Sequence, residues 1–453
     1  MSYILAVIYT LTCFFLIRRM LVGHSNITAQ LGVLALFSIG YYPLPVFFQT
    51  MTDLRDYDDQ TISTALLIHF VFLVFLLFGV VSTAAFALKL RPLSFGPIDV
   101  IAARHRLPLS FISFALYILY ILTVNRSSYS AQDFDAFFED KSQINSIIAA
   151  FAGLFVAFIA LSYASASASK NRRDRLFYLL MIGAIVFAAV PTAARLAIIS
   201  PLLTVFCAIA ITGEVRKAMR ILGVAVLTLM IVSPFAVFLR ESMHDEQGGL
   251  LSASEVANKY SISDDPFTQS FQSILNRSDL ISVTIYMKKY IDATEYVGGE
   301  FYYSVIASPI PRFIYREKPP VLSSNGQLDG EISTLAYRLM NGGLGSLTAF
   351  GGLTAYRQGG WIAVILDGLA VGAFFVGVAR WFGDGGWVAR MFYVNFFVMF
   401  SVQKVPPSFF EALTSVLGQA PLILCLFIVS KALTIARLSK KPIRVRAAIG
   451  HSS

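Results

Sequence analysis

The chain of 453 residues is 56% hydrophobic and only 14% charged, with a mean hydropathy of +0.68. A soluble domain carries about 45–50% apolar and about 25% charged residues, so an ordinary soluble fold is excluded. The net charge of +9 sits in short segments beside apolar runs, which removes nucleic acid as a partner and makes membrane lipids the natural counterpart of the basic residues.

In chain order, apolar stretches of membrane-crossing size fall near residues 3–17, 31–48, 64–88, 107–124, 147–165, 176–191, 196–212, 218–239, 361–381, 388–402 and 420–436. They predict an all-α polytopic membrane protein of about eleven transmembrane helices, within a range of 10–12. The first, sixth and tenth stretches are short. The first is followed by Arg18 and Arg19, whereas a signal peptide places its charge before the apolar run, so it reads as a retained helix. Cys13, Cys207 and Cys425 lie inside apolar runs without metal-binding or redox spacing and read as small lipid- or core-facing residues.

The division that follows is helices 1–8 over residues 1–239, a large loop over 240–345, a re-entrant or interfacial segment with helices 9–11 over 346–436, and a basic tail over 437–453. Sorting charges by side gives one face 21 bases against 4 acids and the other 15 against 22, with Asp367 left inside a span. Bases in short loops mark the cytoplasmic side, so the C-terminus is expected inside and the N-terminus and large loop outside. No fixed-period repeat is visible, and the halves differ in span spacing, unlike many inverted-repeat transporters.

The large loop carries helical patterning. Asp265-Pro266 suits the start of a helix bearing Phe267, Phe271 and Ile274, and Ser278 is placed to cap another bearing Ile281, Ile285 and Tyr286. Between Pro311 and Pro319-Pro320, one or two helical turns would set Arg312 and Arg316 side by side at i, i+4. Such a like-charged pair suits a bound anion, because guanidinium forks match phosphate oxygens; pairing with Glu317, Glu331 or lipid headgroups is the plainer reading. Arg195 lies in the short hinge between the sixth and seventh spans, at the outer interface, and Arg240 and Arg277 are placed to join it if the helices converge. Singly, each arginine also reads as a snorkelling interfacial cation.

Asp367 marks either function or pairing with a neighbouring helix. His69 reads as a hydrogen-bonded structural histidine, and His244 sits among acids. HExxH, P-loop, GxSxG and GxGxxG motifs have no usable context, so no metal or cofactor site is expected.

Four local features, in order, carry a family resemblance: Tyr41-Tyr42-Pro43, Thr192-Ala-Ala-Arg195-Leu196, IASPIPRFIYREKP at 306–319 and SLTAFGGLTAYRQGGW at 346–361. With the span count and loop position, the chain resembles the repeat-unit polymerases of bacterial surface polysaccharides, the Wzy or O-antigen polymerase family, including its enterobacterial common antigen branch. It departs in having Gly351-Gly352 where many members have Glu after the Gly, and Leu339 to Gly343 where related ligases place a His.

The resemblance implies an enzyme of the bacterial inner membrane with the large loop in the periplasm. Its reaction is metal-independent, GT-C-like glycosyl transfer from one undecaprenyl-diphosphate-linked oligosaccharide to the next, without a cofactor, with a chain-length regulator and a flippase as partners. The leaving diphosphate requires cations at the membrane surface, which Arg195, Arg240, Arg277, Arg312, Arg316 and Lys318 are suited to provide. Asp329 or Glu331 are the candidate bases for the acceptor hydroxyl, and Tyr302, Tyr303 and Tyr315 the candidate sugar-stacking residues, with an interfacial aromatic belt as the alternative. An O-antigen-type ligase and a transporter or flippase are the rival functions.

Overall fold

The computed structural model describes residues 1–23, 25–85, 90–122, 143–189, 195–242, 279–293, 296, 351–403 and 405–439. Among these residues the structure is helical, without a strand. The helices are α1 (Ser2–Val22), α2 (Asn26–Tyr41), α3 (Pro43–Phe47), α4 (Asp59–Ala85), α5 (Pro97–Arg104), α6 (Arg106–Tyr120) and α7 (Gln143–Ala168), then α8 (Arg172–Ala189), α9 (Arg195–Ala210), α10 (Val215–Ser242), α11 (Leu280–Ala293), α12 (Gly351–Val378), α13 (Trp387–Val398) and α14 (Phe409–Ser439).

The starts of these helices follow local chemistry. Ser25 caps α2, its Oγ accepting the Thr28 N–H at 3.2 Å. Pro43 occupies the first turn of α3, where its missing N–H costs nothing. Asp58 accepts the Gln60 and Thr61 N–H groups at 3.1 Å each at the head of α4. The Thr61 hydroxyl, then these backbone donors, hold the Asp58 carboxyl below its ordinary range.

Among the described residues, six helical stretches are long and apolar enough to cross a membrane: Ser2–Val22, Asn26–Phe47, Asp59–Ala84, Phe151–Ala168, Gly351–Gly383 and Phe409–Ala436. The protein is therefore membrane-embedded. Arg106–Tyr120, Ile198–Ala210 and Trp387–Val402 are shorter apolar helices. α8 and α10 stand where the sixth and eighth spans are expected, each beginning with a basic cluster, Arg172, Arg173 and Arg175 in one and Arg216, Lys217 and Arg220 in the other. The expected first span lengthens from 3–17 to Ser2–Val22, because Arg18 and Arg19 extend the helix and Arg19 lies over the Phe15 ring at 5.2 Å. Cys13 and Cys207 are buried and Cys425 exposed on the sparsely buried α14, as core- and lipid-facing positions.

Among the described residues α4 and α12 pack most extensively, and glycines make their close approach possible. A Cβ on Gly368 would lie 2.8 Å from the Phe72 carbonyl oxygen. On Gly372 or Gly79 it would overlap the Leu76 and Leu369 carbonyls outright. Gly368 and Gly372 form a GxxxG pair, the spacing that lets membrane helices approach backbone to backbone.

α12 is not one rod. Gly359 and Gly360 leave helical geometry, with Gly360 at φ +64°, a conformation that glycine adopts without strain. Phe72 touches both ends of the segment: its Cβ lies 3.3 Å from a Cβ placed on Gly352, and its carbonyl abuts Gly368. Sixteen positions of straight helix would separate those glycines by about 24 Å. The chain therefore climbs from Gly352 to the break, reverses, and descends along α4, so the 33-residue apolar stretch consists of a half-helix over 351–358 and a spanning helix beginning at Trp361.

Gly372→Leu is expected to destabilise the protein by about 1–3 kcal/mol through overpacking, whereas Gly377→Leu, whose Cβ position meets nothing within 4 Å, leaves stability near wild type. Thermal melting of the purified protein in detergent checks the difference.

Candidate functional site

Most of the site expected from sequence lies outside the described residues: Arg277, Tyr302, Tyr303, Arg312, Tyr315, Arg316, Lys318, Asp329 and Glu331, together with the helix start at Asp265-Pro266. Arg195 opens α9 and Arg240 lies in the last turn and a half of α10, and their side chains are likewise outside the description. Of the expected loop, the structure describes 240–242, which end α10, then Asp279, α11 and Tyr296.

α11 does not lie on the surface. Leu280 to Ile285 are all buried, Ile281 completely, and the helix packs on α4 and α12. Its cap is Asp279, one residue beyond the expected Ser278. Asp279 Oδ1 accepts the Ile281 and Ser282 N–H groups at 3.1 and 3.0 Å, and Oδ2 accepts the Ser282 hydroxyl at 2.5 Å. A helix that starts inside a packed bundle needs such a cap, because its first N–H groups cannot reach water.

One face of α11 carries Thr284, Lys288 and Asp292 at i, i+4 and i+8. Beside it the half-helix of α12 carries Gly352 and Tyr356, and Gly360 of the break follows at the same spacing. The two run in parallel and in register, from a buried end to an exposed one.

At the buried end, His69 of α4 bonds through Nε2 to Thr284 Oγ1 at 2.8 Å. Thr284 gives its single hydroxyl proton to the Leu280 carbonyl at 2.6 Å, which places the histidine proton on Nε2. Nδ1 is buried, has no hydrogen-bond partner among the described residues, and faces Gly352, where a Cβ would lie 3.1 Å away. The Tyr42 ring stacks on the imidazole at 4.1 Å and donates its hydroxyl to the Val405 carbonyl at 2.5 Å. The next carbonyl, of Pro406, abuts Gly351. The histidine expected to be structural is thus the meeting point of two separate stretches that carry the resemblance, Tyr41-Tyr42-Pro43 and SLTAFGGLTAYRQGGW.

At the exposed end, Tyr356 donates its hydroxyl to Asp292 Oδ1 at 2.9 Å. Lys288 pairs with Asp292 Oδ2 and sits 5.4 Å above the Tyr356 ring. Tyr296 and Trp361 meet Tyr356 edge-on at 6.2 and 5.8 Å, and the Tyr296 hydroxyl closes on Gly360, where a Cβ would lie 2.9 Å from it. Arg357 is buried among these elements, in electrostatic contact with Tyr290. Tyr290, Tyr296 and Trp361 are exposed, an arrangement suited to the membrane–water interface.

Asp367, the intramembrane acid, has a structural partner. Its two oxygens accept the Phe409 N–H at 3.2 and 3.0 Å, capping α14 from a neighbouring helix. Ser408 and Glu411 complete that cap: Glu411 accepts the Ser408 N–H at 3.0 Å and the Ser408 Oγ accepts the Glu411 N–H at 3.3 Å. Among the described residues no three His, Cys, Asp or Glu side chains stand close enough to hold a metal ion.

No family model, curated protein or solved structure matches the chain. In the sequence none of Thr284, Lys288, Asp292, Tyr356 and Arg357 stands out individually. Their signal was the i, i+4, i+8 spacing in one segment and a Gly-Gly break directly after Tyr-Arg-Gln in the other.

Thr284→Val removes the acceptor of the buried His69 N–H and is expected to cost about 1–3 kcal/mol. Hydrogen exchange over 280–293 should rise more than over α4, since the bond ties the loop helix to the bundle.

Proposed function

We propose that the protein is a repeat-unit polymerase of surface polysaccharide synthesis, transferring a growing glycan from its undecaprenyl diphosphate carrier onto the next lipid-linked unit at the outer face of the bacterial inner membrane. The finer topology belongs to the same reading. It has about eleven spans, the basic starts of α8 and α10 on the cytoplasmic side, and the large loop outside.

The observation that carries the reading is the burial of α11 between α4 and α12. It brings a carboxylate and an ammonium from the hydrophilic loop against the tyrosine of the YRQGG stretch, at the interfacial end of a broken helix. Glycosyl transfer from a lipid diphosphate needs such a junction. The leaving group carries its charge at the membrane surface, the sugars lie outside it, and fixed cations must meet the departing oxygens. Arg195, Arg240, Arg277, Arg312, Arg316 and Lys318 are assigned that role, with Asp329, Glu331 and the tyrosines at 302, 303 and 315 as further candidates for proton transfer and sugar stacking. A chain-length regulator and a flippase are the expected partners.

Arg195→Ala and Arg312→Ala, present at normal membrane levels, are expected to abolish long polysaccharide chains on electrophoresis of cell-surface glycans; unchanged chain lengths would refute the diphosphate role. One observation favours a second reading. A helix broken at Gly359–Gly360 between the buried Arg357 and Asp367 is the kind of element transporters use at their substrate sites. Deletion cells decide: single lipid-linked units accumulate at the outer face for a polymerase and at the cytoplasmic face for a flippase. Polymer left on its carrier lipid indicates a ligase.

A further inference from the structure

A Lys–Asp pair at i, i+4 is an ordinary feature of a helix surface. The pair Lys288–Asp292 differs because a third group reaches it from another element. Tyr356 is itself 5% exposed, yet it extends its hydroxyl to Asp292 Oδ1, while the Asp292 side chain remains 42% exposed. The carboxylate is thus clamped on one side and open on the other. Each of its oxygens keeps a lone pair for a further donor.

Beside Tyr356, which holds this carboxylate, stand the exposed rings of Tyr296 and Trp361, both set edge-on to it. An apolar ring face beside a fixed carboxylate is the pairing a pyranose requires, C–H groups against the ring and hydroxyls to the oxygen atoms. The turn at Gly359–Gly360 keeps the rim in place, since the Tyr296 hydroxyl occupies the space where a side chain at 360 would stand.

We infer that this junction of α11 and α12 is the acceptor-sugar subsite, with Asp292 the base that takes the proton of the attacking hydroxyl and Tyr356 and Lys288 the positioning residues. The inference rests on the polymerase reading. In the step it serves, the acceptor hydroxyl oxygen bonds to the anomeric carbon of the donor glycan. The bond from that carbon to the phosphate oxygen breaks, its electron pair leaving with the lipid diphosphate. The hydroxyl proton passes to Asp292 and from its open side to water, so no co-reactant is needed.

The test uses the full-length protein in lipid nanodiscs, and as substrate the lipid-linked oligosaccharide extracted from cells deleted for this chain. Asp292→Asn is expected to lower kcat at least 100-fold, within the range general bases contribute, while the acceptor KM stays within about threefold; Asp292→Glu should recover part of the rate. Tyr356→Phe should lower kcat by less than Asp292→Asn, again with KM little changed, as expected for a group that only orients the carboxylate. If wild-type protein builds polymer and Asp292→Asn retains kcat within threefold, the subsite is wrong and the polymerase reading stands. Wild-type protein that builds no polymer overturns both. Should Asp292→Asn fail to accumulate in membranes, Tyr356→Phe decides, and an unchanged kcat refutes the assignment.

Discussion

A helix that begins inside a membrane-embedded bundle must find acceptors for its first N–H groups within the protein, because neither lipid nor distant water can supply them. That constraint organises the described half of the site. α11 begins at a buried level and is capped by Asp279. α14 is capped by Asp367 from α12, reinforced by Ser408 and Glu411. Buried carboxylates that look like functional charges in an apolar sequence here hold helix ends, and the carboxylate left partly open, Asp292, stands where the helices emerge.

Close backbone approach is the second requirement. The reversal of α12 brings two antiparallel segments onto one face of α4, and only glycines at 352, 368 and 372 let both fit. The space saved at Gly352 is taken by the His69 ring, and the space at Gly360 by Tyr296. Each glycine is thus paired with the group that a larger residue would displace, which ties the packing of α4 to the geometry at both ends of the α11–α12 seam. His69 is the joint in this arrangement, bonded to α11, stacked on Tyr42 and pressed against α12.

The seam grades from apolar to charged along its length. Its inner end is a histidine–threonine contact, its middle a lysine over a tyrosine ring, and its outer end a carboxylate that accepts the tyrosine hydroxyl, beside exposed aromatic rings. A substrate with a lipid tail and a hydrated head meets the same gradient at a membrane surface, and the charges are concentrated where desolvation costs least.

Periodicity and composition by themselves determined the helical, membrane-embedded class, because runs of about twenty apolar residues have few other stable solutions. They also located the helices at each expected span and α11 within the loop, where Ile281 and Ile285 share a face. Three things were decided by the tertiary structure alone. The sequence set a re-entrant or interfacial segment apart from the ninth span, but hydropathy is blind to direction, and the reversal that lays both on α4 comes from the conformation of two glycines. Asp367 could not be read as a cap, because the N–H it holds is 42 positions away. Asp292 stood out from no other acid of the loop until Tyr356, 64 residues on, was folded against it, for the interaction that distinguishes it is between elements and leaves no periodic trace in the chain.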